Sequence, residues 1–243
     1  MWQVQKDVTD QDLILLKKQG VNLIQSFSLF RWSDNEIKNF LDKIQRHSLP
    51  FVVSLCGFFK GEKGGPENLK NFYRCANFIN KWKYHPAIKY WHTIDEPKNH
   101  HLSKEDQEQA YKFVKNLDPQ RKILVSLNLT TQRDYNNYFT EKAFDILDIH
   151  AFVDPNISQR QRNLLDLIKK NKHDNYPIII TLRICNWSKW HDLPNNSLQD
   201  QYNFFIKKGG LTNNYGFYGW ELDPLKGISQ VGYLKNQFIE LIK

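Results

Sequence analysis

Cysteine is scarce: three residues, Cys56, Cys75 and Cys185, with no C-x-x-C spacing. An odd number without metal-type spacing excludes a disulfide framework and a structural zinc site, and each thiol reads as a small apolar core residue. Long hydrophobic runs are missing too. Nothing approaches the roughly 18 uninterrupted apolar residues that a membrane span requires. The first residues, Met1-Trp-Gln-Val-Gln-Lys6, contain no basic stretch leading into an apolar segment, so no secretory leader is legible. The expectation is a cytoplasmic chain, or a secreted one if a leader has been removed.

What is present is ample for a core. Of 243 residues, 40% are hydrophobic and 14% aromatic, enough for one large domain or two small ones. Charged residues make up 25% and are not blocked into tracts, which excludes a disordered or collagen-like chain. The 34 Lys+Arg against 26 Asp+Glu leave a net charge of +8. Such a balance admits an anionic partner. The basic residues, however, fall on helix candidates (Lys17-Lys18, Lys81, Lys83, Lys169-Lys170, Lys207-Lys208) without one stripe of interleaved aromatics. Solvated helix faces account for them better than nucleic acid does.

The organisation is an alternation. Short β-rich runs at 2–5, 21–27, 50–55, 88–94, 122–127, 145–151, 177–182 and 216–220 are separated by stretches with apolar residues at helical spacing, near 9–19, 34–47, 67–83, 103–117, 136–143, 158–172, 197–209 and 229–242. Ser33-Asp34, Ser103 with Asp106, and Ser197 read as helix starts; Gly20 and Gly209-Gly210 read as stops. Parallel strands cannot be joined by tight turns, so strict alternation implies a parallel sheet with helical crossovers. Eight repeats in 243 residues point to a single α/β domain over 1–243, a (β/α)8 TIM barrel whose first strand is short or truncated. An open doubly wound sheet would show a glycine-rich nucleotide turn after its first strand, and none is present.

Barrels of this kind carry chemistry at the C-terminal strand ends. Those ends hold Trp32 after the second strand, Phe58 after the third, Asp95-Glu96-Pro97 at the fourth, Asn128 at the fifth and His150 at the sixth. Arg183, Trp187 and Trp190 follow the seventh, and Trp220, Glu221 and Asp223 the eighth. Aromatic faces beside hydroxyl-pairing side chains suit a sugar. Competing chemistries lack their residues: the first strand has no His-x-His for a metal-dependent hydrolase, the loops after strands seven and eight are not glycine-rich phosphate cradles, and Lys89 and Lys122 sit at strand starts, the wrong end for a Schiff base. Neither a metal nor a cofactor is expected.

Asp95-Glu96-Pro97 is the strongest local signal. Proline stops the strand, and two adjacent carboxyls beside an apolar wall (Trp91, Ile94) suit a general acid working near neutral pH. The plainer alternative is an acidic patch favoured by the dipole of the following helix.

The segment Tyr84-His-Pro-Ala-Ile-Lys-Tyr-Trp-His-Thr-Ile-Asp-Glu-Pro97, followed by a helix ending Leu117-Asp-Pro-Gln-Arg121, resembles the fourth-strand region of glycoside hydrolase clan A and related barrels, with their Asn/Asp-Glu-Pro pattern. Gly20-Val-Asn-Leu-Ile, Asp148-Ile-His150 and Gly216-Phe-x-Gly-Trp220 are similar to the same group. The resemblance implies a carbohydrate-active barrel with Glu96 as acid/base, Asp95 in the Asn/Asp position and His150 as a substrate-binding residue. One departure is plain. Those enzymes place a nucleophilic Glu at the end of the seventh strand, where this chain has Pro177-Ile-Ile-Ile-Thr-Leu182-Arg183, with Leu182 at the matching position.

Glu221 is the leading replacement for that carboxylate, because the fourth and eighth strands of a barrel face each other; Asp223, Asp154 and Asp95 compete for the role. Opposed walls favour the roughly 6.5–9.5 Å carboxyl gap of inverting hydrolases over the roughly 5–5.5 Å of retaining ones. The expectation is a glycoside hydrolase acting on an oligo- or polysaccharide, with a lean toward anionic glycans. Glu96 and Glu221 would be catalytic. Asp95, His150, Trp32, Phe58, Asn128, Arg183, Trp187, Trp190, Trp220 and Asp223 would bind substrate. The alternative is a catalytically inactive glycan-binding barrel that has lost the seventh-strand nucleophile.

Overall fold

Strands rich in Val, Ile and Leu on both faces belong in a sheet covered on both sides, which is what parallel sheets require. The computed structural model describes residues 2–4, 6–18, 21–59, 69–129, 131–151, 163, 166–167, 170, 178–183 and 215–218. Its strands are β1 (Trp2–Gln3), β2 (Ile24–Ser26), β3 (Phe51–Ser54), β4 (Ile88–Asp95), β5 (Lys122–Leu127), β6 (Ile146–Ala151), β7 (Ile178–Arg183) and β8 (Tyr215–Tyr218). All pairings are parallel and consecutive, in the order β1 to β8. Each of the eight strand expectations therefore finds its strand, and the first is indeed short.

The described helices are α1 (Asp10–Lys18), α2 (Asp34–Arg46), α3 (Cys56–Phe59), α4 (Leu69–Trp82), α5 (Lys104–Leu117) and α6 (Gln132–Tyr138). Capping chemistry sets two of their starts. Ser33 and Glu36 form a reciprocal capping box on α2, and Ser103 with Asp106 forms another on α5. The helix expected at 136–143 instead begins at Gln132, because Thr131 accepts from the Asp134 backbone N–H, and it gives way at Phe139 to extended backbone before a 3-10 turn at Glu141–Ala143. Of the helix expected at 158–172, Asn163, Asp166, Leu167 and Lys170 are helical. The helices expected at 197–209 and 229–242 lie outside the described residues.

Two apolar assemblies flank the sheet. On the helix side, Trp91, Ile94, Ile123, Val125, Leu127, Leu147 and Ile149 join buried residues of the surrounding helices, including Leu41, Ile44, Cys75, Ile79 and Val114. On the opposite side, Leu124, Ile146 and Ile179 pack together with Leu23 and Tyr90. Strand alternation then dictates the next layer along the chain. Two residues beyond Leu23, Tyr90, Leu124 and Ile146 stand Gln25, His92, Ser126 and Asp148, so this inner face turns polar toward its C-terminal end.

Part of the motif around β4 is structural. Asp118, at the end of α5, accepts a hydrogen bond from Trp91 Nε1 at 2.9 Å and another from Arg121 Nη1 at 2.9 Å. Arg121 donates onward from Nε to the Ile88 carbonyl at 3.0 Å and from Nη2 to the His85 carbonyl at 3.3 Å. The Leu-Asp-Pro-x-Arg segment thus clamps the start of β4, and with it the height at which Glu96 emerges.

Candidate active site

The end of β4 is shaped by a bulge. His92 pairs with Leu124 and Ile94 with Val125, so Thr93 is an extra residue with no counterpart on β5. Without it, Ile94 would share the inner face with His92. With it, Ile94 joins the helix-side core and Asp95 comes into register with Ser126. Glu96 then takes a left-handed conformation (φ 47°, ψ 68°), a region that costs a non-glycine residue about 1 kcal/mol or more. The turn is pinned by Glu96 N–H donating to the Ser126 carbonyl at 2.9 Å, and by Asn99 N–H donating to the Glu96 carbonyl at 2.9 Å. Pro97 opens the 3-10 turn Pro97–His100, where its missing N–H costs nothing.

This turn delivers the Glu96 carboxylate to β6. His150 Nδ1 lies 2.8 Å from Glu96 Oε1, and His150 Nε2 lies 3.3 Å from Asp148 Oδ2. Asn99 Nδ2 donates to the other oxygen, Glu96 Oε2. His150 is nearly enclosed, with 4% of its side chain exposed, while Glu96 keeps 16%. Burial alone would push the imidazole's pKa down. The hydrogen bonds to Asp148 and Glu96, with the charges of Asp148 and Asp95, outweigh it and push His150 up to about 10. At neutral pH it is an imidazolium donating from both nitrogens.

A second histidine behaves in the opposite way. His92 is fully buried, and desolvation pushes it down to about 4 against the opposing charges of Asp95 and Asp148. It is neutral, and its partners assign the tautomer. Gln25 Nε2 donates to His92 Nδ1 at 2.8 Å, so the ring proton is on Nε2, which lies 2.9 Å from the Ile94 carbonyl and 3.0 Å from Ser126 Oγ. Ser126 in turn donates to Asp148 Oδ2 at 2.8 Å. The result is a continuous hydrogen-bonded row across β2, β4, β5 and β6 that ends on Glu96. Cys56 Sγ lies beside it, 3.6 Å from His92 Nδ1, and Phe27 meets the His92 ring edge-on at 5.5 Å.

Of the residues expected at the site, Glu96, Asp95 and His150 come together, and Asn128 follows β5 two positions beyond Ser126. The Trp32 ring meets Phe40 edge-on at 5.1 Å. Phe58 is buried on α3 between Phe30 at 5.1 Å and Phe78 at 5.9 Å. Arg183 ends β7, but its side chain lies outside the described residues, as do Asp154, Trp187, Trp190, Trp220, Glu221 and Asp223. Gln25, His92, Ser126, Asp148 and Asn99 were not anticipated as site residues. The first four share a signal: each is a polar residue two positions beyond an apolar residue of the inner face, Leu23, Tyr90, Leu124 or Ile146. Among the described residues, no cluster of three or more His, Cys, Asp or Glu could hold a metal ion.

No family model and no curated protein matches the sequence. Solved structures match the fold. An FMN-binding β-glucuronidase from Facaelibacterium prausnitzii L2-6 is similar over 89% of this chain and 35% of its own, at 15% identity and a TM-score of 0.60. Bacteroides uniformis β-glucuronidase 2, covalently bound to cyclophellitol-6-carboxylate aziridine, matches over 90% and 30%, at 14% identity and a TM-score of 0.61. An endocellulase from Pyrococcus horikoshii, in complex with cellotetraose, matches over 96% and 86%, at 10% identity and a TM-score of 0.63. The chain spans about a third of the length of the glucuronidases and most of the endocellulase. In fold, this chain is similar to the TIM-barrel glycoside hydrolases.

Proposed function

We propose that the protein is a glycoside hydrolase with Glu96 as its general acid, acting on the O-glycosidic bonds of an oligo- or polysaccharide. The observation that carries this reading is the carboxyl group of Glu96, set by a bulge and a left-handed turn at the C-terminal end of a parallel strand, with one oxygen 2.8 Å from the buried His150 ring. Contact between β1 and β8 supports closure of the strands into one (β/α)8 barrel over residues 1–243. Glu96 protonates the glycosidic oxygen as the bond to the anomeric carbon breaks. A second carboxylate, Glu221 by preference, takes a proton from the water that attacks that carbon, with inversion. The absence of any acid in Pro177–Cys185 is what directs the second role away from β7.

The net charge of +8 and the fold likeness to two glucuronidases favour a glycan bearing carboxylates. Several exterior lysines are already engaged locally, Lys81 with Asp34 and Lys83 with the Leu117 carbonyl, which disfavours a phosphate-binding stripe. The test is release of reducing ends from a panel of neutral and uronic-acid glycans. Turnover by the wild type that disappears in Glu96→Gln and in Glu221→Gln supports the assignment. Glycan binding without any release, or release undiminished in Glu96→Gln, overturns it.

A further inference from the structure

His150 is implied by resemblance to be a sugar-binding residue, yet its surroundings describe a different task. Its side chain is 4% exposed, one ring nitrogen faces Glu96 Oε1 at 2.8 Å and the other faces Asp148 Oδ2 at 3.3 Å. Asp148 is itself 1% exposed and is fixed by the Ser126 hydroxyl, which is fixed by His92, which is fixed by Gln25. A ring held in this way has little left to offer a ligand, but it is well placed to hold a carboxylate still. The two oxygens of Glu96 are consequently unlike. Oε1 faces the buried imidazole, whereas Oε2 faces Asn99, an exposed residue of the following turn.

We propose that His150 is the positioning residue of Glu96: braced by Asp148, it fixes Oε1 and confines proton delivery to Oε2, which a substrate reaches by taking the place of the Asn99 amide. Among the described residues, the charged and titratable groups around His150 are Glu96, Asp95 and His92 from β4 and its turn, and Asp148 from β6. Three are carboxylates, and His92 is kept neutral by burial, so the local balance retains the imidazolium through the neutral range. A rotation of the Glu96 carboxyl would exchange its oxygens and cost the alignment on which acid catalysis depends. This inference rests on the acid role given to Glu96, and it is tested in a way that separates the two.

The decisive variant is Asp148→Asn, which preserves volume and removes the brace. First, histidine ring ¹⁵N chemical shifts are followed against pH on the full chain without any ligand. In the wild type, His150 is expected to remain doubly protonated to about pH 10. In Asp148→Asn its midpoint should fall by at least one unit. A wild-type midpoint near 6.5, or one unmoved by the substitution, overturns the positioning role and leaves the acid role of Glu96 standing. Second, kcat and KM are measured on phenyl and 2,4-dinitrophenyl β-glucuronides and β-cellobiosides. A dinitrophenolate leaves without protonation and a phenolate does not. Asp148→Asn should therefore lower kcat on the phenyl glycoside about tenfold or more while changing the dinitrophenyl rate and KM by less than about threefold. Equal losses on both leaving groups, or a loss confined to KM, would mean a structural or sugar-binding role and would also overturn it. The expected titration together with full activity of Glu96→Gln would instead reject the acid role alone.

Discussion

Asp118 offers a severe test of how β4 is held. Its Oδ2 accepts from Trp91 Nε1 and from Arg121 Nη1, each at 2.9 Å, and Arg121 reaches on to the carbonyls of His85 and Ile88. Replacement by alanine leaves an indole N–H without its acceptor beside Trp91, which is 0% exposed, at about 1–3 kcal/mol. It also leaves a guanidinium without its counter-ion. Removing one partner of a buried pair costs about 3–5 kcal/mol, and the partial exposure of Arg121 pulls that toward the lower bound. Because the two losses share one carboxylate, they are not summed, and Asp118→Ala should destabilise by about 3 kcal/mol. Asp118→Asn keeps an oxygen for the indole and loses the charge, so its cost should be about half as large. Urea unfolding followed by tryptophan fluorescence measures both. Burial would raise the Asp118 carboxyl, but its bonds to Trp91 and Arg121 hold it below its ordinary range. Its contribution is therefore present above about pH 4 and lost as pH falls through the lowered value, so wild type and Asp118→Asn should converge in acid. Equal stabilities for Asp118→Ala and wild type at pH 7, or an Asp118→Asn deficit that does not shrink as the pH is lowered below about 4, would refute the clamp.

The two site histidines predict opposite pH dependences of stability. His150, raised to about 10, contributes stability that is complete below about pH 6.5 and is lost as pH rises through about 10; thermal melts of wild type against His150→Gln should converge at the alkaline end. His92, lowered to about 4, disfavours the fold wherever the unfolded chain binds its proton, so stability should rise between about pH 4 and 6.5, and that rise should shrink in His92→Gln. At Gly57 an added Cβ would stand 2.0 Å from Phe30 Cζ, so the ring must move; Gly57→Ala should lose about 1–3 kcal/mol in urea unfolding, and a neutral result would show that Phe30 swings aside freely.

The strands were legible because each is a short apolar run bounded by helical periodicity, and the starts of α2 and α5 because Ser33 directly precedes Asp34 and Ser103 carries an acid three residues on. The Asp95-Glu96-Pro97 turn was legible as a candidate because carboxyls abutting a strand-ending proline have few structural uses. The aromatics were less so. Trp32 and Phe58 follow strand ends as a sugar platform would, yet a ring near a strand end can equally pack into the helix layer, and here they meet Phe40, Phe30 and Phe78. The bulge at Thr93 has no signature in a run such as Trp91-His-Thr-Ile-Asp95, since it depends on pairing with β5. The row from Gln25 to Glu96 joins residues 67, 34, 22 and 54 positions apart in sequence, a proximity that only the strand order creates.

The acid role of Glu96 is tested most directly by the leaving-group dependence of Glu96→Gln. On the unactivated phenyl glycoside the variant should lose about 10²- to 10⁴-fold in kcat, whereas on the 2,4-dinitrophenyl glycoside it should stay within about threefold of wild type. An equal loss on both, or no loss on either, would contradict proton delivery from Glu96.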